Sequence, residues 1–337
     1  RALYDLIDRL ASWKINQVQL YMEHTFAYRN HPVVWAEASP LTGQEIMELD
    51  AYCRQRHVTL LPNQNSLGHM ERWLKHPRYQ HLAECPDGFF MAEWNRAMPP
   101  TSLNAANPDS IAFMGELYDE LLPHFLCETF NVGGDEPWEM GRCRSKPTAD
   151  TIGAGRMYLN YLLQLHKLVT SRGRRMMFWD DIIVNHPELV PELPRDITAM
   201  VWGYEADHPF DERCALFNGS GIPFYVCSGS SSWNSIAGRT SNALGNLYNA
   251  ASNGIRHGAV GCLITDWGDN GHWQPPPVSY LGFAYGAALG WALTANTDLD
   301  LPAALDWFAF EDAARVMGRL VYDLGNVYTL PGLARHN

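Results

Sequence analysis

The chain has 337 residues, 46% of them hydrophobic and 18% charged, which is enough for a large core and within the range of one α/β barrel domain. A net charge of −12 with no basic run argues against nucleic acid or an anionic membrane surface as a partner. No uninterrupted apolar stretch is long enough to span a bilayer, and the 12 Trp, 15 Tyr and 13 Phe spread along the chain exclude disorder.

In chain order, Leu3, Leu6, Ile7 and Leu10 recur at helical spacing. The run Gln17–Met22 reads as a strand. Thr42-Gly-Gln-Glu45 is a capping-box pattern that opens a helix through Ile46 and Leu49. Val58–Gln64 is a second strand. Asn107-Pro108 pairs an N-cap with an N1 proline ahead of Ile111, Met114, Leu117 and Leu121. Thr129–Glu136 is a third strand. Met157, Tyr161, Leu165 and Leu168 form a helical stripe closed by Gly173. Arg175–Asp181, Thr198–Tyr204, Pro223–Gly229 and Gly261–Trp267 are further strand-like runs. Pro275-Pro276-Pro277 predicts a rigid loop, and Ala303–Phe308 and Ala313–Leu324 predict packing helices.

The strand runs are apolar without clear alternation, as parallel strands covered on both faces are. Alternating strands and helices predict a parallel α/β fold, a (β/α)8 TIM barrel whose strand 1 is not evident in the sequence. A doubly wound open sheet is the weaker alternative, because no G-x-G-x-x-G turn follows any strand. The expected organisation is a single catalytic barrel domain over residues 1–337, with about 292–337 as C-terminal packing helices. Seven cysteines, several of them in apolar runs, with no C-x-x-C, predict buried, reduced thiols, and so a weak lean to the cytoplasm.

In such a barrel, chemistry sits at the C-terminal ends of the strands. Those ends carry Glu23-His24, Asn63-Gln64-Asn65 with His69, Asp135-Glu136, Trp179-Asp180-Asp181, Trp202 and Tyr204, Ser228 to Trp233, and Asp266-Trp267 with Asp269. Carboxylates, amides and large aromatic rings together suit a sugar, whose faces stack on rings and whose hydroxyls take hydrogen bonds. Asp135-Glu136 is the sharpest feature. Neighbouring acids in unlike surroundings divide into a proton donor and a persistent anion, which is what glycoside hydrolysis needs. Asp180 and Asp181 are read as caps for the following helix, with Asp180 also a site candidate. The histidines show no metal-ligand spacing, so no metal or other cofactor is expected.

The motif Asn131-Val-Gly-Gly-Asp-Glu136 resembles the H-x-G-G-D-E signature of the family-20 β-N-acetylhexosaminidases, in the style of the hexosaminidase D branch. Leu67-Gly-His69-Met, Trp179-Asp180-Asp181, Trp202 and Trp267-Gly-Asp269 follow in the family's order. The resemblance implies a barrel with a retaining, substrate-assisted mechanism. Glu136 would be the general acid, then base, and Asp135 would orient the substrate's 2-acetamido group. Trp179, Trp202 and Trp267 would wall the sugar, Asp269 would bind outer hydroxyls, and His69 would stand near the centre. The ligand implied is a terminal β-linked 2-acetamido-2-deoxy-hexoside. Glu23, Asn65, Asp180, Tyr204 and Trp233 complete the binding candidates. Asn131 replaces the signature histidine, the family's strand-1 arginine has no counterpart, and its tyrosine donor is not evident. Trp233 stands in that stretch, with Tyr204 or Tyr225 as substitutes. GlcNAc and GalNAc both remain open, as does the oligomeric state. Two other readings also stay open. One is a conventional glycosidase pairing Glu136 with Asp266 or Asp269, and the other is a non-catalytic sugar-binding barrel.

Overall fold

The computed structural model describes residues 1–332, and each of the seven runs named above contains a strand. The strands are β1 (Gln17–Met22), β2 (Thr59–Gln64), β3 (Phe89–Met91), β4 (Arg96–Met98), β5 (Thr129–Asn131), β6 (Arg175–Trp179), β7 (Thr198–Trp202), β8 (Phe224–Gly229) and β9 (Gly261–Thr265). The antiparallel hairpin β3–β4 was not expected. Its two strands have only three residues each, too few to show a period. The chain divides into two compact units. One holds Asn16–Ala199 with Ser220–Ile222, and the other holds Arg1–Ile15, Met200–Gly219 and the chain from Pro223 onward.

In the first unit β1, β2, β5 and β6 pair parallel in that order. The third strand is shorter than its apolar run suggests. It ends at Asn131, where the Asn131 side chain accepts the Gly133 N–H at 3.0 Å and turns the chain into Gly-Gly-Asp-Glu. Both expected caps form. Thr42 and Glu45 exchange backbone bonds in a complete capping box, and Asn107 accepts from Asp109 ahead of Pro108. Tyr28, His31, Trp73, Tyr79 and Phe113 pack edge-to-face beside the β1 and β2 ends, with Tyr28 and Trp73 fully buried. Such pairs add about 0.5–1.5 kcal/mol each beyond area burial.

In the second unit β8 and β9 pair parallel over five registered positions. Ala243, Leu247, Leu281, Tyr285, Leu289, Leu301 and Leu305 form its core. The first packing helix runs from Leu301 to Leu305 and opens into a wider turn over Asp306–Phe310. The second begins at Met317, not Ala313, because Asp312 takes the backbone N–H groups of Ala314, Val316 and Met317 and holds a turn there. The last five residues of the expected 292–337 tail lie outside the described residues. No helix among the described residues is long and apolar enough to cross a membrane.

The cysteine expectation is corrected. Cys85 and Cys143 form a disulfide across a sequence separation of 58, with their Cα atoms 5.3 Å apart. Cys53, Cys214 and Cys227 are buried free thiols, and Cys262 is exposed on its strand. The pair went unseen because proximity across 58 residues leaves no local signature. The lean to the cytoplasm, which rested on unpaired thiols, loses its ground. Closing so long a loop restricts the unfolded chain by roughly 4 kcal/mol in the loop-entropy picture. Cys143→Ser is expected to lower the unfolding free energy from chemical denaturation by a large part of that amount. A reductant should shift the parent protein the same way and leave the variant unmoved.

Candidate active site

The β1 side chains Gln19 and Tyr21 share one face, because strand side chains alternate, and Glu23 follows directly after the strand. That face is polar and tied to its neighbours. Gln19 accepts from Asn63 on β2 and from Asn131 on β5, at 3.3 and 3.1 Å. Tyr21 accepts from Asn65 at 2.7 Å and donates to Glu23 at 3.2 Å. The Glu23 carbonyl takes the Trp73 indole N–H at 2.6 Å and the Gln64 amide at 3.1 Å. The aromatic packing beneath therefore fixes where Glu23 stands.

His69 follows a buried turn. Ser66 is held by the Tyr118 hydroxyl at 2.6 Å, and its carbonyl by Tyr161 at 2.7 Å. A side chain at Gly68 would meet the Asp135 carbonyl oxygen at 2.2 Å, so glycine lets this turn lie against the acid segment. His69 itself has φ of 57° and Glu136 has φ of 47°, a left-handed conformation that side chains seldom adopt. Asp181 holds Glu136 there, its carboxylate accepting the Glu136 N–H at 3.0 Å.

The imidazole of His69 lies among three carboxylates. Nε2 is 3.2 Å from Asp135 Oδ2 and 3.3 Å from Glu136 Oε2, and Nδ1 is 3.6 Å from Glu23 Oε1. Burial works against the imidazolium, but the carboxylates, Asp135 foremost, hold the His69 pKa well above its usual value. Burial likewise disfavours the Glu23 anion, yet the neighbouring His69 leaves Glu23 below the usual carboxylate range. Asp181 is pushed well above that range by burial and then by the Asp135 charge. Tyr21 is pushed well up by burial and by Glu23. The ligand atoms of His69, Asp135 and Glu136 lie within 4.8 Å of one another, close enough to surround an ion. A protonated His69 already supplies the positive charge there.

One oxygen of this cluster is open. Asp135 is 9% exposed, and its Oδ1 is buried with no hydrogen-bond partner. The buried Tyr158 hydroxyl and Asn65 Oδ1 are also without partners.

The sequence candidates thus fall into groups. Asp135, Glu136, His69, Glu23 and Asn65 come together in the first unit. Trp179 and Asp180 end β6 there, both buried. The expected capping by Asp180 and Asp181 is corrected, because the short helix Ile183–Asn185 has no side-chain cap and Asp181 serves Glu136 instead. In the second unit Tyr204 stacks on Trp202 with centroids 5.0 Å apart and meets Trp233 edge-on at 5.1 Å. Tyr204 also accepts the Trp267 indole N–H at 3.0 Å. Trp233 is buried, its ring occupying the space that a side chain at Gly229 would fill. Asp269 is exposed on a short turn, Asp269–Gly271. Sequence reasoning missed Tyr21, Asp181 as a backbone anchor, and Trp138, whose ring lies 6.0 Å from that of His69. Tyr21 was discoverable, since it sits on β1 two residues before Glu23.

Parallel strands whose carboxyl ends carry acids, amides and aromatic rings define an α/β fold with its chemistry at the strand ends. Residues 1–215 match the glycosyl hydrolase family 20 catalytic domain, and the chain belongs to that family. It is 23% identical over 223 residues to beta-hexosaminidase 1 of Coccidioides posadasii, covering 60% of this chain and 37% of that protein. It is 26% identical over 201 residues to human hexosaminidase D, covering 57% of this chain and 39% of that protein. The chain thus spans well under half the length of these relatives. Among solved structures, the Flavobacterium johnsoniae chitobiase superposes with a TM-score of 0.69 at 15% identity, over 96% of this chain and 50% of that one. A Vibrio harveyi exo-β-N-acetylglucosaminidase of family 20 superposes with a TM-score of 0.66 at 15% identity, over 96% and 55%. The fold is that of the family's catalytic barrel, the α/β class expected from sequence.

Two outcomes test this geometry. Gly133 has φ of 69°, and a side chain on it would lie 1.8 Å from Asn65 Oδ1. Gly133→Ala should cost roughly 1–3 kcal/mol in chemical denaturation. His69 has a folded pKa above its unfolded one, so its ion pairs stabilise fully below about pH 6.5 and fade as pH rises through the raised value. The Tm gap between parent and His69→Gln should therefore be widest near pH 5–6 and close on the alkaline side. A gap that widens with pH would contradict the assignment.

Proposed function

We propose that the chain is an exo-acting β-N-acetylhexosaminidase that removes a terminal β-linked 2-acetamido-2-deoxy-hexose with retention, through an oxazolinium intermediate. The observation that carries this reading is the open Oδ1 of Asp135. A buried carboxylate oxygen without a donor is costly and is accounted for by a ligand N–H. The 2-acetamido N–H is such a donor.

Asp135 accepts that N–H and aims the acetamido carbonyl oxygen at C1. As this oxygen bonds to C1, the C1–O bond to the leaving group breaks, and Glu136 delivers its proton to the departing oxygen. Glu136 then takes a proton from water, which adds to C1, opens the oxazolinium ring and restores the acetamide. The positive charge of the intermediate is met by Asp135. His69 holds both acids in place and is itself oriented by Glu23 through Nδ1. The strained turn at Glu136, anchored by Asp181, sets the direction of the acid. In this reading Trp179, buried at the end of β6, serves the sugar ring.

The conventional reading with Asp266 as partner acid is disfavoured. Asp266 Oδ1 accepts the hydroxyls of Ser230 and Ser232, each at 2.5 Å, and Oδ2 accepts that of Ser279 at 3.0 Å. Its lone pairs are engaged in structure.

With a chromogenic β-N-acetylhexosaminide, Glu136→Gln should lower kcat by about 10²–10⁴-fold and Asp135→Asn by about 10²–10³-fold. A thiazoline mimic of the intermediate should bind the parent far more tightly than the substrate does, and Asp135→Asn weakly. Cleavage of the matching 2-deoxy glycoside at a similar rate would rule out the substrate's amide as nucleophile. Near-parent activity in Asp135→Asn would do the same for the role of Asp135.

A further inference from the structure

The hairpin β3–β4 puts Trp94 at its turn, where the ring is 51% exposed, with Phe90 on β3 also exposed. Large aromatics exposed on one short hairpin have no part in the core and mark a contact surface. Trp94 is not isolated. Its ring meets that of Trp138 edge-on at 5.0 Å, and Trp138 meets His69 at 6.0 Å. His69 is 3.3 Å from Glu136. Aromatic surface therefore runs from the buried acids outward, through half-buried Trp138 to solvent-exposed Trp94.

The base of this short hairpin is unusually fixed. Two-stranded hairpins are marginal by themselves in water. Here Glu139, the residue after Trp138, is buried with both oxygens saturated. Oε1 accepts the N–H groups of Thr101 and Ser102, and Oε2 accepts their hydroxyls, all at 2.6–2.7 Å. Glu84, also buried, accepts from the Cys143 and Ser145 backbones at 3.0 and 3.1 Å. The Cys85–Cys143 disulfide closes the same junction. Both ends of the hairpin are thus fastened to the segment that follows the catalytic motif.

We propose that Trp94 and Trp138 form an aglycone subsite, a platform for the sugar ring that the terminal residue leaves behind. The proposal rests on the exo-acting reading above. A terminal sugar occupies the innermost position, against Asp135, so whatever is linked to it must extend outward past Glu136. The aromatic path leads the same way. A pyranose presents an apolar C–H face to a ring such as that of Trp94, and the preferred substrate class is a glycan whose penultimate residue is a sugar rather than a small alcohol.

The test uses two kinds of substrate carrying the same terminal sugar. One is a panel of β1,3-, β1,4- and β1,6-linked disaccharides, and the other is the β-glycosyl fluoride, whose leaving group is too small to reach Trp94. The ratio of kcat/KM for the best disaccharide over the fluoride should fall about three- to tenfold in Trp94→Ala, the size of one aromatic contact, and recover in Trp94→Phe. The loss should appear mainly in KM. Trp94 is a turn residue in solvent, so the variants should fold. An unchanged ratio overturns the subsite and leaves the hydrolase reading intact, assigning Trp94 to another partner. So does a parent enzyme that cleaves the fluoride but none of the disaccharides. A parent inert toward the fluoride overturns the hydrolase reading, and the subsite with it.

Discussion

The site depends on one imidazole shared by three carboxylates. Unit charges about 4 Å apart interact by roughly 4 kcal/mol at the effective dielectric of a protein surface. Glu23, Asp135 and Glu136 all face one ring, and without a cation between them they would repel one another. His69 supplies the cation, and its raised pKa is the other side of that arrangement. The cluster is thus a set of mutually dependent groups arranged around one imidazole.

Holding the four groups in place takes conformations the chain would not choose by itself. His69 and Glu136 both adopt positive φ. Gly68 and Gly133 allow contacts at which a side chain would collide with the Asp135 carbonyl and with Asn65. Each departure has a visible counterweight. Asp181 takes the Glu136 N–H, the hydroxyls of Tyr118 and Tyr161 pin the turn before His69, and Trp73 and Gln64 clamp the Glu23 carbonyl. Strain of this kind persists only where surrounding contacts over-determine it.

The fold class, the seven parallel strands and two helix caps were legible in the sequence, because each follows from local spacing or from one capping residue. The Asp135–Glu136 pair was legible from its place after a short apolar strand and two glycines. The order of residues did not reveal which strand ends meet. The Cys85–Cys143 bond and the carboxylates of Glu84 and Glu139 join segments tens of residues apart, and nothing near them in sequence announces a partner. The hairpin carrying Trp94 was lost for the opposite reason, its strands being too short for a pattern. Asp181 looked like a helix cap because Asp before a helical stretch usually is one. Here the backbone of Glu136 competes for the same carboxylate and takes it.

The fully and partly buried acids Glu84, Glu139, Asp135 and Asp266 separate into two kinds, and the distinction carries the functional argument further than any motif. Glu139, Glu84 and Asp266 are surrounded by hydroxyl and amide donors that engage their lone pairs, and such carboxylates act as clamps. Asp135 receives only the edge of an imidazole on one oxygen and nothing on the other. By sequence, Asp135 stands out within its motif and Asp266 is only the partner acid of an alternative reading, yet both follow parallel strands. What separates them is satisfaction. A saturated carboxylate has spent its hydrogen-bonding capacity on the fold, whereas Asp135, with one buried oxygen unpartnered, has not.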